Sequence, residues 1–367
     1  MAERGAKPKV PAWRLRTLRA ARAFFTPLLP DDYLELINPL WSTQELRGRV
    51  ERVDRETADA VTVHIKPGWE WTGHKPGQYL RVGVEVDGKH HWRAYSLTSD
   101  PDRPDGCICI TPKLLESGVV SPFFVRDAQP GMIVRLGGVE GTFVLPEQPP
   151  ERLLFISAGS GITPIMSMLR SLDRDGGLRD VVHLHSARTE DDIIFGSQLS
   201  RLDARHGGYR LEKRLTAEQG RLDPEDLDEL CPDWREREAF ACGPGEMLDA
   251  LTEHWKEAGG DPDRLHMERF QPVIGQGDGE HGEGGTVKFL KSDLEGQSDG
   301  SQPILVAGEE AGATLPFGCR MGICHTCVGK LCEGKVRDLR SGEVAGSQGE
   351  MIRTCVNAPE GPIAIEL

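Results

Sequence analysis

Four cysteines carry the most specific chemistry in this chain. Cys319, Cys324, Cys327 and Cys355 form a C-x4-C-x2-C run with a distant fourth thiol, the ligand spacing of a [2Fe–2S] centre. Two irons need four thiolates, three from one tight loop and one from a remote strand. Gly318 and Gly322 give such a loop freedom to curl, and the small Thr326 leaves room for amides to approach the sulfides. A four-cysteine zinc site is the competing reading, but zinc ribbons use two C-x2-C knuckles and the first spacing here is four. Rieske ligation needs two histidines, and His325 alone does not supply them. Cys107, Cys109, Cys231, Cys242 and Cys332 show no pairing logic and read as small buried apolar residues, with Cys242 open to a further reading below.

A second set of residues suits a flavin. In Arg93-Ala94-Tyr95-Ser96 the arginine can pair with a phosphate, the tyrosine can lie against an isoalloxazine ring, and the serine hydroxyl can reach its N5 edge. The bland alternative is an exposed strand carrying a cation and an aromatic ring. Further on, Gly118-Val119-Val120-Ser121 opens a helix expected over Pro122 to Asp127, whose first amides could hold a pyrophosphate. A nicotinamide dinucleotide is suggested by Ala158-Gly159-Ser160-Gly161-Ile162-Thr163-Pro164, where a strand runs through a glycine turn into a helix. This turn is not the G-x-G-x-x-G fingerprint and is weak alone. Cys242-Gly243-Pro244 follows a later apolar strand, at the end where open α/β sheets bind ligands. Buried structural cysteine is the plain reading of Cys242 taken by itself.

The elements that must position these residues fall into three textures. Residues 1–42 form a partly helical N-terminal extension. Residues 43–150 carry short β-type runs punctuated by Gly, Pro and Asp, which read as an antiparallel β-barrel. Residues 151–270 alternate apolar strands with helices, as an α/β doubly wound domain does. Residues 271–285 contain six glycines and read as a flexible linker. Residues 286–367 suffice for one small domain around the patterned cysteines. The formal net charge of −14 argues against nucleic-acid binding, which needs clustered Lys and Arg. No apolar stretch is long and uninterrupted enough to span a membrane. The start, with Glu3, Lys7 and Lys9, does not read as a secretory signal, so a cytoplasmic location is expected.

The stretch from Leu315 to Val336 and the closing run from Met351 to Leu367 closely resemble the plant-type ferredoxin domain. That resemblance implies a β-grasp fold for residues 286–367, with the centre near the surface. RAYS, GVVS, GSGITP and CGPGEM, in that order, resemble the ferredoxin–NADP reductase superfamily, and the appended domain narrows this to its multidomain oxygenase-reductase branch. The resemblance implies FAD, with FMN the alternative, on Arg93, Ala94, Tyr95 and Ser96. It places the flavin pyrophosphate on Gly118, Val119, Val120 and Ser121, and the nucleotide phosphates on Gly159, Gly161, Thr163 and Pro164. Cys242, Gly243 and Pro244 fall on the nicotinamide side, with Ser96 and Cys242 shaping the hydride step rather than acting as nucleophiles.

Nicotinamides give up electron pairs as hydride, whereas one cluster takes a single electron, so a flavin is the necessary adaptor. Electrons are therefore expected to pass from NADPH or NADH through flavin and cluster to a terminal oxygenase. The stretch from Thr26 to Ser42 looks like the leader of bacterial reductases serving membrane di-iron acyl-CoA desaturases or alkane hydroxylases. Its neighbouring basic segment, Arg14 to Arg22, would suit an anionic membrane face or an acidic partner, although a solvated helix is its plain reading. An FMN-dependent reductase for a Rieske dioxygenase, or a flavin reductase with a non-redox docking module, are the rival expectations. Coenzyme choice turns on Ser186-Ala187-Arg188-Thr189, where Arg188 could pair with a 2′-phosphate, with Arg214 as a second contact; NADPH is the favoured expectation.

Overall fold

The computed structural model describes residues 37–42, 45–86, 88–116, 118–270, 282–313, 315–316, 322 and 327–367. Cys319, Cys324, His325 and all but the last residues of the N-terminal extension lie outside these.

The first sheet has the order β4-β3-β6-β1-β2-β5, with β1 (Arg47–Arg55), β2 (Val61–Pro67), β3 (Tyr79–Val86), β4 (Lys89–Ser96), β5 (Ile108–Ile110) and β6 (Ile133–Glu140). Alternation drives it: in β2, Val61, Val63 and Ile65 are buried in one core with Leu80, Val82, Val134 and Leu136, while His64 and Lys66 face outward. An antiparallel bridge from Leu97, just past β4, to Ile110 of β5 joins the two edge strands, so the sheet closes as a barrel and leaves no open edge there. Between β5 and β6 lie a single α-turn, Val120–Pro122, and a π turn, Phe123–Asp127. The expected ordinary helix over Pro122 to Asp127 is thus wound more loosely, with the Ala128 N–H closing onto the Phe123 carbonyl.

The second sheet contains β7 (Leu153–Ala158), β8 (Val181–Ala187), β9 (Tyr209–Leu215), β10 (Glu238–Gly243) and β11 (Leu265–Arg269), ordered β11-β10-β7-β8-β9. β10, β7, β8 and β9 run parallel. Every residue of β8 is buried, as expected of a central parallel strand covered on both faces. The chain crosses over through α1 (Ile162–Asp175), α2 (Gly196–Arg205) and α3 (Gly245–Glu257). Gly176, with φ of 67°, ends α1 in the left-handed conformation that glycine adopts without strain. Strand order reverses between β7 and β10, which makes their carboxyl ends the topological switch point.

The first two sheets, apart from Trp92–Ala94 of β4 and Arg269 of β11, fall in one compact unit and the third in another. The third is a mixed sheet in the order β13-β12-β17-β14-β15, with β16 paired to β14. Its strands are β12 (Gly285–Phe289), β13 (Leu294–Ser298), β14 (Val328–Asp338), β15 (Val344–Ala345), β16 (Met351–Arg353) and β17 (Asn357–Glu366), and α4 (Ile304–Glu310) packs on it. Phe289, Ile304, Leu305, Leu331, Val356 and Ile365 form its core together with Cys327 and Cys355. The end of the expected linker is not free chain: the Gly282 N–H bonds Gly300, the Gly284 N–H bonds Pro359, and Gly285 opens β12.

Candidate functional site

The switch point brings the two nucleotide motifs together. Gly159–Gly161 form a 3-10 turn between β7 and α1, and β10 places Cys242 in register with Ser157. Gly161 is required by contact: a β-carbon there would overlap the Cys242 carbonyl, 2.5 Å from its carbon and 2.9 Å from the Gly243 nitrogen. Gly159 has φ of 53° and open space where its β-carbon would be, so the turn is tight on the strand side and accessible on the other. Thr163 is buried and donates to the Ser160 carbonyl at 2.8 Å. Its hydroxyl is spent on shaping the turn. Pro164 is buried inside the first turn of α1.

Cys242 is fully buried, and that burial, reinforced by the nearby Glu268 carboxylate, raises its thiol pKa well above normal. A raised pKa leaves the thiol neutral at physiological pH. Glu268, on β11, went unnoticed in the sequence; burial lifts its carboxyl pKa to about 7. The only sequence trace of it is a carboxylate inside the short strand pattern Leu-His-Met-Glu-Arg. Beneath the sheet, Ser157 Oγ contacts His183 Nε2 at 2.8 Å and His185 Nδ1 at 2.7 Å, and His183 Nδ1 contacts the Tyr209 hydroxyl at 2.8 Å. Burial holds both imidazoles neutral, that of His185 down to about 4.

The barrel motif docks onto the same region. Arg93, Ala94, Tyr95 and Ser96 end β4, and the chain continues directly into a strap held by α1. Ser167 Oγ donates to the Ser99 carbonyl at 2.7 Å, Arg170 donates to the Thr98 carbonyl at 2.6 Å, and Arg174 pairs with Asp100. Phe143 packs edge-on against Phe240 of β10, centroids 5.6 Å apart. The strap Thr98 to Asp100, which follows RAYS, and the helix following GSGITP are therefore held together within one compact unit. Tyr95 is half-buried and meets Phe124 edge-on at 5.8 Å, which joins RAYS to the turn that follows Gly118, Val119, Val120 and Ser121. Val120 points into the barrel core. Ser121 Oγ accepts from the Leu115 N–H at 3.0 Å.

Ser186, at the carboxyl end of β8, has a buried hydroxyl without a hydrogen-bond partner among the described residues. Buried polar groups are normally satisfied, so this orphan fits a ligand such as a nucleotide. Ser186 stands in register with Arg214, and the Arg188 carbonyl accepts from Ala217 in the turn that follows β9.

In the third sheet, Cys327 Sγ and Cys355 Sγ approach to 3.0 Å, are both buried, and are not disulfide-bonded. The Gly322 N–H donates to Cys355 Sγ at 3.2 Å. Two thiols converging on one point, one of them receiving an amide, fit shared ligation of a metal, since thiolate ligands are typically held by such outer bonds. Thr354 fixes the pair by donating its hydroxyl to the Cys327 carbonyl at 2.8 Å.

These features define a flavin- and nicotinamide-dependent oxidoreductase with an iron–sulfur domain. Residues 57–145 match the oxidoreductase FAD-binding domain, 155–253 the oxidoreductase NAD-binding domain, and 292–360 the 2Fe-2S iron-sulfur cluster binding domain. An NADPH oxidoreductase of Mycobacterium tuberculosis is 48% identical over 97% of this chain and 93% of its own. The stachydrine N-demethylase reductase subunit of Rhizobium meliloti is 29% identical over 89% and 97%. Phthalate dioxygenase reductase shares the fold, with a TM-score of 0.57 and 21% identity over 88% of this chain and 98% of that one. The chain belongs to the ferredoxin–NADP reductase superfamily, in the branch carrying a C-terminal [2Fe–2S] domain. It is an NAD(P)H-dependent oxidoreductase of the ferredoxin-reductase type whose cofactors are FAD and a [2Fe–2S] cluster.

Proposed function

We propose that the protein is the reductase component of an oxygenase system, taking hydride from NADPH and delivering single electrons to a terminal oxygenase, of which a membrane di-iron acyl desaturase or alkane hydroxylase is the favoured class. The observation that supports the reading is that α1 both continues the glycine turn at the switch point and holds the strap leaving RAYS. Such shared anchoring suits hydride transfer, which needs donor and acceptor held in one geometry.

FAD, when bound, converts an electron pair into single electrons, and the cluster hands them on one at a time. The residues' tasks are positional. Arg93 would hold the flavin phosphate, Tyr95 would support its ring, and Ser96 would bond the edge that receives hydride. Gly118 to Ser121 would hold the pyrophosphate through backbone amides. Gly159, Gly161, Thr163 and Pro164 would hold the coenzyme phosphates. Cys242, Gly243 and Pro244 would line the nicotinamide side with an uncharged thiol. Cys319, Cys324, Cys327 and Cys355 would ligate the cluster.

The NADPH preference rests on the buried Ser186 hydroxyl, with Arg188 two residues on in the chain and Arg214, which also pairs with Asp226, in register with Ser186; it is supported by the NADPH named for the mycobacterial relative. The oxygenase assignment is supported by relatives named as reductase subunits of an N-demethylase and a dioxygenase. The test is reconstitution: purified protein, NADPH and candidate desaturases, hydroxylases and Rieske oxygenases, with product formation measured. Turnover with a Rieske enzyme and none with desaturases or hydroxylases would replace the favoured acceptor class.

A further inference from the structure

Arg353 stands out among the basic side chains of the third sheet. It closes β16, opposite Val328 of β14, two residues before Cys355. Its backbone carbonyl accepts from the Val356 N–H at 3.1 Å and from Asn357 Nδ2 at 2.9 Å, so the residue is anchored rather than free on a surface. Its guanidinium donates to the Gly322 carbonyl at 2.9 Å. The N–H of that same glycine donates to Cys355 Sγ at 3.2 Å. A fixed cation is thus one residue removed from a ligand sulfur.

No carboxylate among the described residues pairs with Arg353, whereas the neighbouring Arg340 is held by both oxygens of Asp338. The sequence from Leu315 to Cys327 contains no Asp or Glu. Gly322 itself has φ of 69°, and a β-carbon there would come within 2.8 Å of both Arg340 and Val356, so the loop is confined on the side of these two residues.

We propose that Arg353 is a positioning residue for the iron–sulfur centre: it fixes Gly322 so that its N–H bonds the Cys355 sulfur, and its charge raises the reduction potential of the centre. This rests on reading Cys327 and Cys355 as ligands. Reduction adds one electron and no proton, so the centre becomes one unit more negative while the guanidinium is unchanged. A nearby cation therefore favours the reduced form, and potentials of such centres follow local charge and hydrogen bonds to sulfur. The consequence is directional: an electron arriving from the flavin is held more favourably than a bare loop would hold it.

The experiment is an anaerobic redox titration of the holoprotein, followed by the visible and EPR spectra of the centre, in wild type, Arg353→Gln and Arg353→Lys. Glutamine keeps a donor for Gly322 and loses the charge, so the reduced-to-oxidised ratio at fixed potential should fall about tenfold, a downward shift of ~59 mV for one electron. Lysine keeps the charge and should restore most of the shift. A Gln variant with an intact centre and an unchanged potential overturns the proposal. Should the Gln variant lose its centre, a Lys variant at the wild-type potential supports the charge role, and one shifted downward tenfold overturns it. A Cys355→Ser protein that retained the wild-type EPR signal would refute the ligand reading instead, independently of either Arg353 result.

Discussion

The carbonyl of Cys242 occupies the space into which a side chain on Gly161 would project. The two motifs, 81 positions apart in the numbering, are packed backbone to backbone at the switch point, and the coenzyme turn has its shape only because one of them is glycine.

Gly161→Ala should therefore disturb coenzyme handling more than flavin binding. Relieving the overlap costs about 1–3 kcal/mol, as overpacking does. Thermal unfolding should show a lowered Tm, and stopped-flow flavin reduction by NADPH should slow, while flavin content after purification stays at the wild-type level. Unaltered stability and kinetics would mean that the contact is relieved at no cost and that the turn does not depend on it.

Glu268 makes stability depend on pH. Its folded pKa of about 7 stands above the ordinary 4.5, so its contribution is fully present below pH 4.5 and is lost as pH rises through 7. Glu268→Gln removes that loss. The variant should gain on wild type between pH 4.5 and 7 and level off above it, by at most about 3 kcal/mol, in denaturant melts at a series of pH values. Parallel pH profiles for the two proteins would show that the carboxyl titrates normally.

Coenzyme choice is tested at Arg188. If its guanidinium meets the 2′-phosphate, Arg188→Ala should raise the KM for NADPH about tenfold and leave that for NADH nearly unchanged. Equal effects on both coenzymes would assign the arginine to the part they share.

Arg93→Ala should weaken flavin retention about ten- to a hundredfold, the loss expected for a charge-assisted phosphate contact. Flavin occupancy after dialysis checks this, and undiminished occupancy would remove Arg93 from the flavin site.

Much of the fold was legible because the signals are local. Alternation marks β1 to β3, the all-apolar runs mark β7 and β10, and glycine turns mark the starts of α1 and α3. The cysteine spacing carried the [2Fe–2S] expectation, which the match of residues 292–360 to the 2Fe-2S domain bears out. What escaped notice depends on contacts distant in sequence. Glu268 acquires its unusual pKa from burial on β11, not from its neighbours in the chain. Ser121 and Thr163 were read as parts of phosphate-binding turns, and their hydroxyl contacts to Leu115 and Ser160 could not be read from spacing. Arg170, which holds the strap after RAYS, reads in the sequence as an ordinary exposed helix cation. Gly282, Gly284 and Gly285 fell in the expected linker, but their backbones are bonded to Gly300 and Pro359 or open β12, partners that lie far along the chain.

The most direct test of electron flow through separate modules is stopped-flow mixing of a Cys324→Ser variant with NADPH, following flavin bleaching and, in parallel, electron delivery to a reconstituted terminal oxygenase. Serine is a poor substitute for the soft thiolate, so flavin reduction should stay within about twofold of wild type while delivery falls by roughly a hundredfold or more. Equal loss of both activities, or delivery that persists without the cluster, would contradict a path from NADPH through FAD to the [2Fe–2S] centre.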